Sequence, residues 1–557
     1  FVTKRRLLEW ETAAEAENVQ NRTATVDIYL AWSPLLTLAI GGLLWLGRPQ
    51  ALPVAAPVLG LWFIARFLSA WLNRAPRARR GQLSNSDIRF LRSAAARSWR
   101  YFREYSTPAA HWLIPDNVRE DGRIAQRLSP TNLGLLLNAR ISAVHLGYLT
   151  LPEFVESTRA TLDQYRKLAK YSGHVLNWYC TESLRVLEPR FVSTVDSGNL
   201  AACLWTLKQA ALSFAANPPS AESVEAGLAD IRAQAAHEIG TGAAGFWSDE
   251  LAERTQRKAQ WLETGVVQEL RDSLLAISED CDELVSAMDF GFLFHRRRKV
   301  LSVGFDVDTA LLAPGAYDLL ASESRIASFI AIAKGEIPQE GWFHLGRRHT
   351  VFAGQRVLVS WTGTMFEYLM PLLWMKHNRR TIMQESLEAV VRVQQKVARR
   401  KRIPWGISES ACTAGPEGDY GYHAFGVPEL AMRRSEMDST VVSPYSTFLA
   451  LLIDPSGAVK NLRRMAKLGW LGRCGFYEAV DYREGKPEII RSWMAHHQGM
   501  SLLAVCNVLF GDRMQEYFHA EPQVLATELL LHERVPKAIT VESDPATLPD
   551  LALASAS

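Results

Sequence analysis

Two glycine-rich segments each set a single glutamate beside aromatic rings. The first reads Pro404-Trp405-Gly406-Ile407-Ser408-Glu409-Ser410, followed by Tyr420-Gly421-Tyr422-His423-Ala424-Phe425-Gly426. The second reads Gly472-Arg473-Cys474-Gly475-Phe476-Tyr477-Glu478-Ala479-Val480-Asp481-Tyr482. Both hold too much glycine for a helix interior, so both are expected in loops. A carboxylate packed on an aromatic ring is partly desolvated, which raises its pKa and suits it to act as an acid near neutrality. Two such groups facing across a sugar are the minimum for glycoside chemistry. Exposed loop glutamates are common, so spacing alone leaves the bland reading open.

Other clusters are candidates for contact rather than chemistry. Gly341-Trp342-Phe343-His344 precedes Ser360-Trp361-Thr362-Gly363-Thr364-Met365-Phe366-Glu367. Glu367 opens an apolar helix, where it either complements the helix N-terminus or bonds sugar hydroxyls. Tyr317-Asp318-Leu319-Leu320-Ala321-Ser322-Glu323-Ser324-Arg325 carries polar residues that line a cleft or pair with one another. His496-His497-Gln498 offers adjacent histidines that diverge on a helix, which favours a substrate or loop contact over a metal site. Asp306-Val307-Asp308 matches a nucleotide-sugar motif in form, without the strand-helix units such a site needs.

A frame for these loops is legible from periodicity. Ile88, Leu91, Ala95, Trp99 and Phe102 fall three or four apart, as do Phe154, Thr158, Leu162, Tyr165 and Leu168. Ser129-Pro130, Ser443-Pro444 and Asp454-Pro455 each place an N-cap residue before a first-turn proline. Further helical stretches are expected near 198–215, 222–240, 246–277, 315–334, 363–398 and 492–510, with one hairpin strand over Lys299–Val307. About a dozen helices suit a barrel of helix pairs, a solenoid or an irregular bundle alike.

Composition narrows the partners. Sixty-two basic against 59 acidic residues give a net charge of +3, without the concentrated excess a nucleic-acid partner favours. The six scattered cysteines form no CxxC pair, which argues against a zinc or redox motif. The 17 Trp, 15 Tyr and 22 Phe suit a sugar cleft, though they also suit a large core. The chain opens on Phe1 without a visible signal peptide, which points to a segment of a longer polypeptide.

The N-terminal region reads as a membrane hairpin. Ile28–Leu46 holds no charge, and Ala51–Leu72 is broken only by Arg66. Lys4-Arg5-Arg6 before the first stretch and Arg74, Arg77, Arg79 and Arg80 after the second place both flanks in the cytoplasm.

Several motifs, in order, resemble the glucoamylase-like region of cyclic β-1,2-glucan synthases. They are Ser129-Pro130-Thr131-Asn132-Leu133-Gly134, Gly173-His174 with Asn177-Trp178-Tyr179, Val192 to Leu200, Leu319 to Glu323, Trp361 to Leu369, Trp405 to Ser410, Gly475 to Tyr482, and Ala495 to Gly499. The likeness runs from about Ser84 to Pro536. It implies an all-α fold, an (α/α)6 barrel over residues 84–536, preceded by the two-helix transmembrane hairpin in residues 1–83 and followed by a linker or disordered tail over 537–557. It also implies a bacterial inner-membrane protein with its catalytic domain in the cytoplasm. Glycosyltransferase and phosphorylase-like regions would adjoin it in the same polypeptide. The implied activity is retaining transglycosylation that closes linear β-1,2-glucan into rings, with no cofactor or metal. Glu409 would be the acid/base and Glu478 the nucleophile. Trp342, Trp361, Trp405, Tyr420, Tyr422 and Tyr477 would supply sugar-binding surface, with Glu367, Asp196, Asp481, His496, His497 and Gln498 as further contacts. One departure is Cys180, where the family pattern has an aspartate after Asn177-Trp178-Tyr179. Inverting hydrolysis of the same glucan and a non-catalytic glucan-binding scaffold are the rival readings.

Overall fold

The structure, a computed structural model, describes residues 32–72, 83–241, 245–264, 268–413, 415, 419–432, 440–483, 486–534 and 541–542. It divides into two units, Phe1–Arg79 and Arg80–Ser557.

In the first unit, helices Ser33–Gly47 and Leu52–Leu72 pack on one another across the turn Pro49–Ala51. The two helices of the expected hairpin therefore form, the second within one residue of its expected start and the first shorter than expected over the described residues. The first helix starts at Ser33-Pro34 and holds 15 residues, about 22 Å of rise against the ~30 Å of a bilayer core. Among the described residues, no helix is long and apolar enough to cross a membrane. The basic flanks that set the expected orientation, and residues 28–31, lie outside the described residues.

The second unit is built from helices of two kinds. Pro130–Leu146, Thr194–Ala216 and Ala495–Leu509 are buried over nearly their whole circumference and pack against one another in the order 495–509, 130–146, 194–216. Asn85–Tyr105, Leu151–Lys167 and Ile382–Lys401 bury one stripe and expose the other. Local chemistry sets their starts. Ser84 and Asp87 make a capping box, Ser129 accepts the Asn132 amide, and Ser193 accepts that of Asp196. Glycine permits the closest approach between buried helices: a Cβ on Gly134 would stand 2.9 Å from that of Cys203.

Periodicity overestimates helix in places. The stretch 315–334 is helical only over Arg325–Ala333, and 363–398 holds the short helix Met365–Leu369 before Ile382–Lys401. Short antiparallel strands are also more numerous than the one hairpin expected. Asn117–Arg119 pairs with both Ile124–Ala125 and Ser492–Met494, Phe191–Ser193 with Gly304–Asp306, Ser410–Cys412 with Gly421–His423, and Ala479–Asp481 with both Val441–Val442 and Glu488–Ile490. Strands of two or three residues are too short to leave an alternating pattern. They matter because they run directly into buried helices: Phe191–Ser193 leads to Thr194, and Ser492–Met494 to Ala495.

Candidate active site

A cavity of about 360 Å³ opens where these strands meet the helix starts. Its wall includes Asp116, Asp196, Glu323, Glu409, Tyr422 and His496, with Trp178 and Arg127 at one side.

Glu409 is held by its neighbours on both flanks. Gln394, on the helix Ile382–Lys401, donates to the Ile407 carbonyl at 2.9 Å and accepts from the Ile407 amide at 3.0 Å. The Trp405 carbonyl accepts from Asn461 Nδ2 at 2.7 Å, and the Tyr445 hydroxyl donates to the Glu409 carbonyl at 3.0 Å. The paired strand Gly421–His423 brings Tyr422 across, and its hydroxyl donates to Glu409 Oε1 at 2.7 Å. Burial pushes the Glu409 carboxyl up to about 7; the Tyr422 hydrogen bond opposes this, while the charges of Glu367, Glu478 and Asp196 add to it.

Glu323 stands two residues before the start of the helix Arg325–Ala333, next to its N-cap Ser324. Burial, then the charges of Glu367 and Glu409, push it up to about 8. The adjacent arginine gives it little relief, because Arg325 spends its guanidinium on the carbonyls of Ser322, Glu367 and Tyr368. Tyr317 belongs to the same neighbourhood: burial, then the charges of Glu323, Asp196 and Glu409, push its hydroxyl well above the usual range. On the far wall Asp116 binds Arg127 at 2.8 Å and Asn132 at 3.0 Å, and Asp196 accepts from Thr131 and Ser193, each at 2.5 Å. Arg127 lies over the Trp178 ring at 4.5 Å.

Glu478 is elsewhere. Its side chain has no exposed surface and is not part of the cavity wall. Both carboxylate oxygens lie 2.9 Å from His497 Nδ1, and Oε1 accepts from the Ala411 amide at 3.3 Å. Burial pushes Glu478 up to about 7 and holds His497 down to about 3, so the imidazole is neutral. The expectation that Glu409 and Glu478 line one cleft is not met, because the start of the helix Ala495–Leu509 and the segment 443–445 close over Glu478. Ser443, expected as an N-cap, gives its hydroxyl to the Glu478 carbonyl at 2.5 Å instead.

Of the remaining expected contacts, Asp196, Tyr422 and His496 reach the cavity, and burial holds His496 down to about 3. The others are not part of the cavity wall. Trp342 is buried edge-on against Phe329, and Trp405 is buried. Glu367 caps its helix, accepting from Ser360, Thr362 and Thr364. Tyr477 stacks on Trp493 and bonds Glu120; Asp481 is bound by Arg483 at 2.6 Å; Gln498 joins Ser98 to the Phe476 carbonyl. Trp361 and Tyr420 are not part of the cavity wall, and Arg119 covers the Tyr420 ring at 4.4 Å. Cys180 is half-buried in a strand pair with Arg127. Sequence reasoning weighed Glu323 as one of several polar residues and passed over Asp116. Glu323 closes the Leu319–Glu323 motif, whereas the signal of Asp116 lay in space, where it accepts from Asn132 of the Ser129 segment.

The chain has known relatives. The family model Glycoamylase, described as "Putative glucoamylase", matches residues 316–522. The cyclic beta-(1,2)-glucan synthase NdvB of Rhizobium meliloti is 33% identical over 628 aligned residues, covering 97% of this chain and 22% of that protein. The chain thus spans about a fifth (22%) of the length of the curated relative it matches. The endo-beta-1,2-glucanase of Chitinophaga pinensis, solved with sophorotriose and glucose, superposes with a TM-score of 0.60 at 15% identity over 81% of this chain and 99% of that one. An endo-beta-1,2-glucanase mutant of Talaromyces funiculosus with beta-1,2-glucan gives 0.60 at 12% identity over 84% and 94%. A glucoamylase-like protein of Bacteroides fragilis gives 0.61 at 15% identity over 83% and 100%. At these identities the structural likeness shows a shared, mostly helical glucoamylase-like fold.

Proposed function

We propose that this chain closes linear β-1,2-glucan into rings by retaining transglycosylation, in an (α/α)6 barrel spanning about residues 84–536, as one part of a longer cyclic β-1,2-glucan synthase. The glycosyltransferase and phosphorylase-like regions of such a synthase would be its neighbours in the same polypeptide. The observation that carries a glycosidase-type reaction is the pair Glu323 and Glu409, two carboxylates raised to about 8 and about 7 on one cavity wall. Near neutrality Glu323 holds a proton while Glu409, bonded by Tyr422, is the more readily ionised. Glu323 therefore protonates the glycosidic oxygen as the bond breaks, and Glu409 attacks the anomeric carbon to give a glycosyl ester. Glu323, now ionised, takes the proton of a hydroxyl from the other end of the same glucan; that oxygen displaces Glu409 and closes the ring. No water is consumed. This assigns the nucleophile to Glu409 and the acid/base to Glu323, in place of Glu478 and Glu409.

Support for transfer comes from the sequence likeness: 33% to the cyclic synthase over 97% of the chain, against 12–15% to the glucanases. The glucanase fold favours inverting hydrolysis as the second reading. Incubation with linear β-1,2-glucan in isotopically heavy water separates the two. Ring closure gives products one water lighter than linear chains of equal length and without label. Labelled linear products alone would sink the ring-closing reading, and unchanged glucan would leave only a binding scaffold.

A further inference from the structure

We infer that Glu478 and His497 are positioning residues for Glu409, acting through the ring and hydroxyl of Tyr445. The inference rests on Glu409 being the reacting carboxylate, as proposed above.

The contacts form a continuous path. The Glu478 carboxylate receives His497 Nδ1 at 2.9 Å on each oxygen, which fixes the tautomer and the ring plane. The His497 ring lies flat on Tyr445, with centroids 3.6 Å apart and planes 8° from parallel. The Tyr445 hydroxyl in turn lies 3.0 Å from the Glu409 carbonyl oxygen and 2.9 Å from Ser408 Oγ. A second path returns to the same loop: Glu478 Oε1 accepts the Ala411 amide, two residues beyond Glu409. Ser443, two residues before Tyr445, bonds the Glu478 carbonyl. Glu478 thus ties together the loop of Glu409, the segment of Tyr445 and the start of the helix Ala495–Leu509. Nothing along this path reaches the cavity except Glu409 itself, since Glu478 and His497 side chains are 0% and 1% exposed.

A buried acid with no access to substrate costs desolvation, which its hydrogen bonds only partly offset. The return is geometric: the Glu409 backbone is held on both sides of its Cα, and a reacting group displaced by about 1 Å loses about a hundredfold in rate.

Three variants test this on linear β-1,2-glucan. Glu478→Gln should lower kcat about 10- to 100-fold with KM unchanged within about twofold. Tyr445→Phe keeps the stacked ring and loses only the hydroxyl; it should lower kcat in the same way, and it carries the test should Glu478→Gln fail to fold. The double variant should be little worse than the worse single one, because both break one path. A double variant whose loss is the product of the two singles would overturn the inference, as would kcat per folded molecule left at the parent value in both singles. So would a glycosyl ester mapped by mass to the peptide carrying Glu478. If instead Glu409→Gln retains full ring formation, the proposed function fails and not the path itself, which the coupling between Glu478 and Tyr445 measures separately.

Discussion

Two carboxylates of the cavity, Glu323 and Glu409, and one of the surrounding shell, Asp481, shift in opposite directions. In the shell, Asp481 is 2% exposed and holds Arg483 at 2.6 Å, and its carboxyl falls to about 2. Glu153 and Glu250 both bind the buried Arg254. In the cavity, Glu323 and Glu409 face other acids and a tyrosine, and they rise to about 8 and about 7. Burial therefore does not by itself make a catalytic acid. At Asp481 the Arg483 hydrogen bonds outweigh burial and hold the charge, which makes a strut; at Glu323 and Glu409 burial holds the proton and like-charged company adds to it, which makes reagents.

The comparison is broken most severely by removing the reagents. Glu323→Gln and Glu409→Gln should each lower kcat for ring formation about 100- to 10,000-fold, measured with linear β-1,2-glucan. An activated leaving group should restore glycosyl-ester formation in Glu323→Gln only, since that step then needs no proton. Either variant with near-parent activity would end the two-carboxylate reading.

The pH profile follows from the same pair. The productive form has Glu409 ionised and Glu323 protonated, so kcat should fall as pH drops through about 7, where Glu409 takes a proton. It should fall again as pH rises through about 8, where Glu323 loses its own. Tyr422→Phe removes a bond that favours ionised Glu409 and should move the acid limb to higher pH, with a smaller loss at the optimum than Glu409→Gln gives. An acid limb that moves down, or stays, would separate Tyr422 from that ionisation.

In the shell, Asp481→Asn should leave KM for glucan unchanged within about twofold and cost about 1–3 kcal/mol of stability, because Arg483 loses its ionic partner. The Asp481 carboxyl lies below the usual aspartate range in the folded protein. Its stabilisation is therefore present above that range and is lost as pH falls toward about 2. Acid unfolding monitored by circular dichroism should show that the parent's advantage over the variant shrinks over this window. The smallest effect on activity is expected from Trp342→Phe, a core change that leaves KM alone and lowers stability by about 1–2 kcal/mol. A raised KM would return Trp342 to the sugar surface.

What was legible in the chain was local. Ser129 and Asp454 cap their helices because a hydroxyl or carboxylate three residues before an amide reaches it without help from the rest of the fold. The apolar stripe Ile88, Leu91, Ala95, Trp99 and Phe102 is likewise read from spacing, and all but the half-buried Ile88 are buried. Glu409 could be singled out because its glycine and aromatic neighbours lie in the same short segment. Tertiary structure decided the rest. Glu478 looks like Glu409 in sequence, and only the closure of His497 and Ser443 over it removes it from the cavity. Glu323 looks like an ordinary polar residue before a helix, and its raised pKa arises first from burial and then from Glu367 and Glu409, far along the chain. Trp342 and Asp481 carry the side chains of a sugar site but face a core and an arginine. The physical reason is range. A capping hydrogen bond or a helical stripe is complete within a few residues, whereas desolvation and the sum of neighbouring charges exist only once distant segments enclose the same space.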